Sequence, residues 1–508
     1  MYARTWGETT CGINGEMIVV EVDVANGKFN FEIVGLADTA VKESRERVRS
    51  AIKNSSCKFP DQHITVNLAP ADLKKDGSGL DLPIAIGILA AQARLELPKD
   101  DAPVFVGELA LDGSLRPVSG ILPMILRARD EGRGSIFIPA GNAEEGELVD
   151  GINVFTAHHL SEIVRHLKGE AALLPLKKCL RFSEEEIPTT VDFSDVQGQV
   201  VAKRALEIAA AGGHNILMVG APGAGKTMLA RRLPTILPPM TEEEALEVTK
   251  IYSIAGLLSH RHGIVMERPF RSPHHTVSNS ALIGGGSIPQ TGEVTLSHHG
   301  VLFLDELPEF TRSSLEVLRQ PLEDRIVTIS RVQATLTFPA DFILVAAQNP
   351  CPCGFWGEED GIHQCTCRTG DIQRYQKKIS GPLLDRIDIQ IHVPRLQYKE
   401  MKGTRPTESS AAIRKRVVAA RARQQERLQG THKFCNASMG RREVKAFCPL
   451  TEGAEKMLES YFTALGLSAR SHDRIIKVAR TIADLDEAEK IDESHLGEAI
   501  QLRTSIQS

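Results

Sequence analysis

The run Gly220-Ala-Pro-Gly-Ala-Gly-Lys226-Thr227 constrains this chain more than any other stretch, because it has the Gly-x4-Gly-Lys-Thr spacing of a phosphate-binding loop. Its surroundings agree. Ile216 to Val219 is a short apolar run that reads as a buried strand, and Met228 to Leu233 reads as the opening of a helix. In a strand, glycine turn and helix of this kind, the loop Gly220, Ala221, Pro222, Gly223, Ala224 and Gly225 turns backbone N–H groups toward phosphate oxygens, and the helix N-terminus adds its positive dipole. Lys226 then reaches the β- and γ-phosphates, and the Thr227 hydroxyl is placed to ligate Mg²⁺. A tight turn holding no ligand is the alternative.

Downstream, Val301-Leu-Phe-Leu-Asp305-Glu306 reads as a second buried strand ending in two carboxylates. Asp305 is suited to the Mg²⁺ shell and Glu306 to polarising an attacking water, although two acids in this place also suit a helix N-cap. A third strand, Phe342 to Ala347, delivers Gln348 and Asn349, whose amides are suited to orienting water beside a γ-phosphate. The segment Ser380-Gly-Pro-Leu-Leu-Asp-Arg386-Ile-Asp388 precedes a fourth strand, Ile389 to Val393. An arginine such as Arg386 spreads fixed charge over phosphoryl oxygens in a transition state, worth about 10³ or more in rate; its alternative is an ion pair with Asp385 or Asp388.

The order of these motifs resembles that of AAA+ ATPases. The segments RPFRSPHHT (268–276), GEVTLSHHGVLFLDE (292–306), NPCPCG (349–354) and SGPLLDRID (380–388) are similar to those of the magnesium-chelatase-like YifB/ComM family, and the likeness extends over nearly the whole chain. The resemblance implies an α/β protein: a Lon-protease-like α+β domain, an AAA+ core on a parallel sheet, and a C-terminal helical lid. It assigns Asn349 as the sensor-1 residue, Arg386 as an arginine finger completing a neighbouring subunit's site, and Arg470 as the sensor-2 arginine, with Arg474 its rival one turn away. Asp192 to Gln199 resembles the box that packs on the adenine. The implied machine is a homohexameric, ATP- and Mg²⁺-dependent DNA motor, a helicase driving branch migration on single-stranded and branched DNA during recombination in natural transformation, with recombination proteins as candidate partners. A chelatase-type motor that remodels a protein is the competing reading.

At 508 residues the chain predicts about three domains. The expected boundaries are 1–168 for the first domain, 169–190 for a linker rich in charge with a proline, 191–396 for the ATPase core and 397–508 for the lid. With 25% charged residues and no apolar run near 18 residues, no membrane span is expected, and the N-terminus lacks a signal-peptide pattern, so the expectation is a cytoplasmic protein. A net charge of −5 denies a global nucleic-acid footprint, so DNA contact must be concentrated in a channel. Candidate contacts are Arg331, at the apex of a hairpin pattern over Ile326 to Thr337, and His274 and His275 in an insertion over Ile254 to Pro289. The basic helix carrying Arg414, Lys415, Arg421, Arg423 and Arg427 reads as a solvated face rather than as a DNA surface.

Four of the nine cysteines form a Cys-x-Cys, spacer, Cys-x-Cys array. Cys351, Cys353, Cys365 and Cys367 lie within an insertion, 351–367, after the third strand; four soft thiolates suit tetrahedral Zn²⁺, with His363 as a substitute ligand and four reduced thiols as the alternative. The other five, Cys11, Cys57, Cys179, Cys435 and Cys448, read as core filler. In the first domain, Lon-type proteolysis requires a serine and a lysine that takes its proton. Ser78 is displaced from the protease's register, and Ser119-Gly-Ile-Leu122 puts no lysine at the expected place, so a non-proteolytic scaffold is expected.

Overall fold

Alternation decides the N-terminal sheet. In the strand Asn14–Ala25 the side chains of Ile18, Val20, Val22 and Val24 are buried on one face of the sheet while most of their neighbours are only partly buried, the period-two pattern of a strand. We describe the chain from a computed structural model covering all residues except 36–38, 72–74, 76, 99–101, 179–189, 259–262, 287–289, 331–334, 358–363, 396–406, 432, 466–467 and 505–508. It divides into two units.

The first unit comprises Met1–Glu184 with Glu242–Val265. Seven strands line up in the order 30–34, 63–69, 14–25, 2–11, 104–105, 135–139, 153–157. The long hairpin Tyr2–Cys11 with Asn14–Ala25 is antiparallel, and its second strand pairs antiparallel with His63–Ala69; the remaining pairings are parallel. The helix Asp81–Ala91 is buried almost all round, as its apolar sequence requires. The segment Glu242–Val265, which the sequence places inside the ATPase core, belongs to this unit instead: the Ser253 hydroxyl donates to Glu145 at 2.5 Å and the Gly120 amide to the Ser253 carbonyl at 3.0 Å.

The second unit, Glu185–Thr241 with Met266–Ser508, holds a five-stranded sheet in the order Phe270–Arg271, Val301–Leu304, Ile343–Gln348, Ile216–Val219, Ile389–His392. Every pairing is parallel. The strand Ile216–Val219 lies between two strands that follow it late in the chain, so its carboxyl end is at the point where connections leave in opposite directions, the place where open α/β sheets bind ligands. The register aligns Val219 with Gln348 and Leu304 with Ala346, which delivers the glycine loop, Asp305-Glu306 and Asn349 to one edge.

C-terminal helices Ser410–Arg427, Arg441–Phe447, Glu452–Leu465, Ala469–Leu485 and Glu493–Thr504 share that unit's core, with Ile413, Val417, Ala420, Ile476, Ala479 and Ile482 buried. The arginines of the first of these helices are not a solvated face. Arg414 donates to the Thr235 carbonyl at 2.8 Å, Arg421 to Ala210 O at 3.1 Å and Arg423 to Asp484 O at 2.8 Å, so cations satisfy carbonyls at the ends of neighbouring helices. Arg427 and Arg480 close on the buried carboxylate of Asp484, which also accepts from Asn436 at 2.8 Å.

Candidate functional site

Two backward-curling glycines shape the loop after Ile216–Val219. Gly223 and Gly225 have φ of +80° and +91°, and a Cβ at Gly223 would meet nothing within 4 Å, so the loop is an open cradle of main chain. Gly220 answers a different need: a Cβ there would lie 2.2 Å from the Val393 carbonyl. The helix Lys226–Ile236 starts directly from this cradle. The buried Lys226 Nζ donates to the Gly220 and Ala221 carbonyls at 2.5 and 3.0 Å and to Asn349 Oδ1 at 3.2 Å. These acceptors hold the ammonium over the loop, where a triphosphate would replace them.

Across the sheet edge the Thr227 hydroxyl donates to Asp305 Oδ2 at 2.8 Å, and the other Asp305 oxygen accepts the Glu306 N–H at 2.9 Å. Hydroxyl and carboxylate meet as they must to share an Mg²⁺ shell, so the residues fit ATP with its metal; bound there, the ion would neutralise phosphate charge. Glu306 occupies the left-handed region at φ +51°, uncommon for a residue with a Cβ, and its side chain is 55% exposed. His275 Nδ1 stands 3.4 Å from Glu306 Oε2, and its ring lies 4.1 Å from that of His274. The pair expected to face nucleic acid thus touches the carboxylate suited to activating water. Arg271, in the same insertion, is held bidentate by Glu293 at 2.6 and 2.7 Å.

Arg386 pairs with neither Asp385 nor Asp388. Its guanidinium, 10% exposed, contacts the Glu323 carboxylate and donates to the Pro382 carbonyl at 2.8 Å, while its Nε lies buried without a partner among the described residues. Arg470 reaches the same Glu323 at 3.0 Å and is 60% exposed. Arg474 is committed elsewhere, at 2.7 Å from Asp388, whose second oxygen faces buried His214 at 3.2 Å. Burial opposes the charge on Asp388, yet Arg474 and His214 hold its carboxyl well below the usual range.

The four cysteines converge. All four Sγ atoms lie within 4.8 Å of one another, with Cys351–Cys353, Cys351–Cys365 and Cys353–Cys365 separations of 3.3, 3.7 and 3.6 Å. These are too long for disulfides and close to the edge of about 3.8 Å expected for a tetrahedron of Zn–S bonds of about 2.3 Å. Against the upward push of burial, the backbone N–H groups of Phe355 and Thr366 draw the Cys353 thiol down to about 6. His363 and Arg331 lie outside the described residues, as do Cys179 and the rest of 179–189, half of the expected linker 169–190.

Sequence reasoning missed Glu323 and Tyr375, and it named Gln199 only as the end of the adenine box, not for its contact with the loop. Glu323 gathers two arginines. Gln199, itself at φ +52°, donates its amide to the loop carbonyl of Ala224 at 3.2 Å. Tyr375 is buried near the Asn349 main chain, and burial with the nearby Glu309 raises its hydroxyl to about 12. Each acts across a long sequence separation, which no local pattern announces. In the first unit Ser78 donates to the Glu108 carboxylate, and Lys75 Nζ to the Pro70 carbonyl.

Comparison with known proteins agrees with this architecture. The model described as magnesium chelatase, subunit ChlI matches residues 192–401, that for subunit ChlI of Mg-chelatase 20–142, and the subunit's C-terminal model 407–503. The chain is 45% identical to the protein YifB of Salmonella typhimurium, with 97% of this chain and 95% of that one covered. It is 44% identical to the competence protein ComM of Haemophilus influenzae over 99% and 98% of the two chains. A more remote likeness, 26% identity over 30% of this chain, links it to Lon protease 2 of Bacillus subtilis. With the phosphate loop, the paired carboxylates and the parallel sheet in place, the chain belongs to the magnesium-chelatase-like YifB/ComM family of AAA+ ATPases.

Proposed function

We propose that the protein hydrolyses ATP to drive itself along DNA, as a homohexameric branch-migration helicase for incoming DNA in natural transformation. The observation that carries the reading is the convergence of Lys226, Thr227, Asp305, Glu306 and Asn349 at one sheet edge, in a chain alike over its length to a competence protein. Lys226 holds phosphate, Thr227 and Asp305 hold Mg²⁺, and Glu306 orients the water that attacks the γ-phosphorus, with Asn349 beside it. Arg386 serves as the finger for a neighbouring subunit, and the exposed Arg470 rather than Arg474 serves as the second sensor, because Arg474 is occupied by Asp388. The reading includes a structural Zn²⁺ on Cys351, Cys353, Cys365 and Cys367, a cytoplasmic location, and a first unit that cleaves no peptide, since Ser78 faces a carboxylate instead of a lysine amine. Among the described residues no helix is long and apolar enough to cross a membrane.

Fluorescence anisotropy with single-stranded and four-way-junction DNA, with and without a nonhydrolysable ATP analogue, tests the cargo. Binding should depend on nucleotide and weaken with salt at a slope of about −0.7 per phosphate contact on single strands. A three-stranded assay should then show ATP-dependent branch migration. No binding at about 50 mM salt, where such contacts are strongest, would transfer the motor to a protein cargo, the competing reading.

A further inference from the structure

The cysteine cluster hangs from the nucleotide site by both of its ends. At its entry, Cys351 follows Asn349 by two residues, and Asn349 Oδ1 is the side-chain acceptor for Lys226 at 3.2 Å. At its exit, the helix Thr369–Gln376 starts two residues after Cys367 and returns the buried Tyr375 to the neighbourhood of the Asn349 main chain. A third contact is direct. Gly354, at φ +88° in a turn closed by its N–H on Cys351 O at 3.0 Å, faces the ring of Pro222 in the phosphate loop; a Cβ there would lie 2.5 Å from Pro222 Cδ. The loop itself is tied to the same strand end, the Gly220 N–H donating to Gln348 O at 3.2 Å.

From this placement we infer that the metal on Cys351, Cys353, Cys365 and Cys367 is a brace for the phosphate loop, so that metal occupancy and nucleotide affinity are thermodynamically coupled. Chain closure explains why a metal is needed at this point. The strand Ile343–Gln348 ends there, and among the described residues no strand or helix lies between it and Thr369, so regular backbone hydrogen bonding does not fix Asn349 and Gly354 relative to Lys226. One ion joining residues 351 and 353 to 365 and 367 closes the segment on itself and removes that freedom. Coupling must run both ways: if metal favours nucleotide, nucleotide favours metal by the same factor.

The inference rests on the zinc assignment above, and the two fail separately. Metal analysis of the full-length protein, purified under reducing conditions without chelators, should give about one Zn²⁺ per chain; none would overturn the assignment, and the coupling with it. Cys365→Ser should lose the ion and bind a fluorescent ATP analogue about tenfold more weakly, the effect of losing one or two hydrogen bonds at the phosphates. The wild type supplies a measurement independent of whether a variant folds: competition for zinc against a chromogenic chelator, at fixed Mg²⁺, should give tighter zinc binding when a nonhydrolysable ATP analogue is present. Equal zinc affinity with and without the analogue, or a folded zinc-free Cys365→Ser that binds nucleotide like the wild type, would overturn the coupling while leaving the zinc site standing.

Discussion

Lys226 Nζ lies 3.2 Å from Asn349 Oδ1, so the lysine that opens the helix after the glycine loop and the amide at the end of the adjacent strand are one hydrogen-bonded unit. The contact joins residues 123 positions apart. Its functional weight depends on which partner meets ground-state phosphate.

Lys226→Ala should lose most nucleotide affinity, because it removes a charge that contacts phosphate before reaction. Glu306→Gln should bind ATP and fail to turn it over, since the carboxylate acts on water, and Asn349→Ala should bind with a modest loss while hydrolysis falls about 10²-fold. Equilibrium binding of a fluorescent analogue and phosphate release under saturating ATP separate the three. Normal turnover in Glu306→Gln would remove that residue from the mechanism.

Arg386 and Arg470 share Glu323, whose carboxyl Arg386 and Arg470 hold below its usual range against the opposing effect of burial. Arg386→Ala should leave nucleotide binding intact and abolish hydrolysis, the loss expected when a finger is withdrawn, about 10³-fold or more. Mixing Arg386→Ala with Lys226→Ala subunits should restore part of the activity, because each variant damages a different half of a shared site. Glu323→Gln should release both guanidiniums and change the rate without changing affinity. A strictly monomeric preparation with full activity would contradict the scheme.

What could be read from the sequence followed from local periodicity. Four buried strands, their carboxyl-terminal chemistry and the cysteine array were all visible, because strand, turn and ligand spacing are short-range properties. The first strand, Tyr2–Cys11, passed unnoticed because polar Thr5, Glu8 and Thr9 are among its buried side chains and break the alternation. The helix Glu242–Ile254 lies within the expected core 191–396 yet clusters with the first unit: its apolar positions show that it packs, not against what. The arginines of Ser410–Arg427 looked solvated, since no sequence pattern reveals that Arg414 and Arg421 cap the ends of helices about 200 positions earlier.

Asp484 is 1% exposed and holds Arg427 and Arg480 together. Asp484→Ala leaves two guanidiniums without their counter-ion inside the helical core, which should destabilise the second unit by about 3–5 kcal/mol. Urea unfolding followed by circular dichroism reads the change as a lower midpoint at unchanged slope. A loss under about 1 kcal/mol would mean that the helix-end carbonyls alone can hold the arginines.

Glu8 is buried in the first unit with neither carboxylate oxygen hydrogen-bonded among the described residues, and burial raises its carboxyl well above the usual range despite Arg127. The folded chain therefore holds this proton more tightly than the unfolded chain does. Its contribution is full at low pH and is lost as pH rises from the unfolded value of about 4.3 through the raised folded one. Glu8→Gln, neutral throughout, should raise the thermal midpoint at pH 7 and leave it nearly unchanged at pH 4. An equal shift at both values would assign the effect to packing.

His275 touches Glu306 at 3.4 Å, and Glu306 sits in a backbone conformation that costs about 1–3 kcal/mol unless its surroundings impose it. A carboxylate oxygen engaged by imidazole is less free to orient water, so under the proposed mechanism His275 restrains the carboxylate assigned to the attacking water. His275→Ala should then raise ATP turnover in the absence of DNA several-fold, about 1 kcal/mol in barrier, and shrink the further stimulation that DNA gives. His274→Ala, which removes the neighbouring ring but not the contact to Glu306, should change the unstimulated rate far less. Steady-state phosphate release with and without single-stranded DNA gives both numbers; an unstimulated rate that falls in His275→Ala would show the imidazole orienting the carboxylate for attack instead of holding it back.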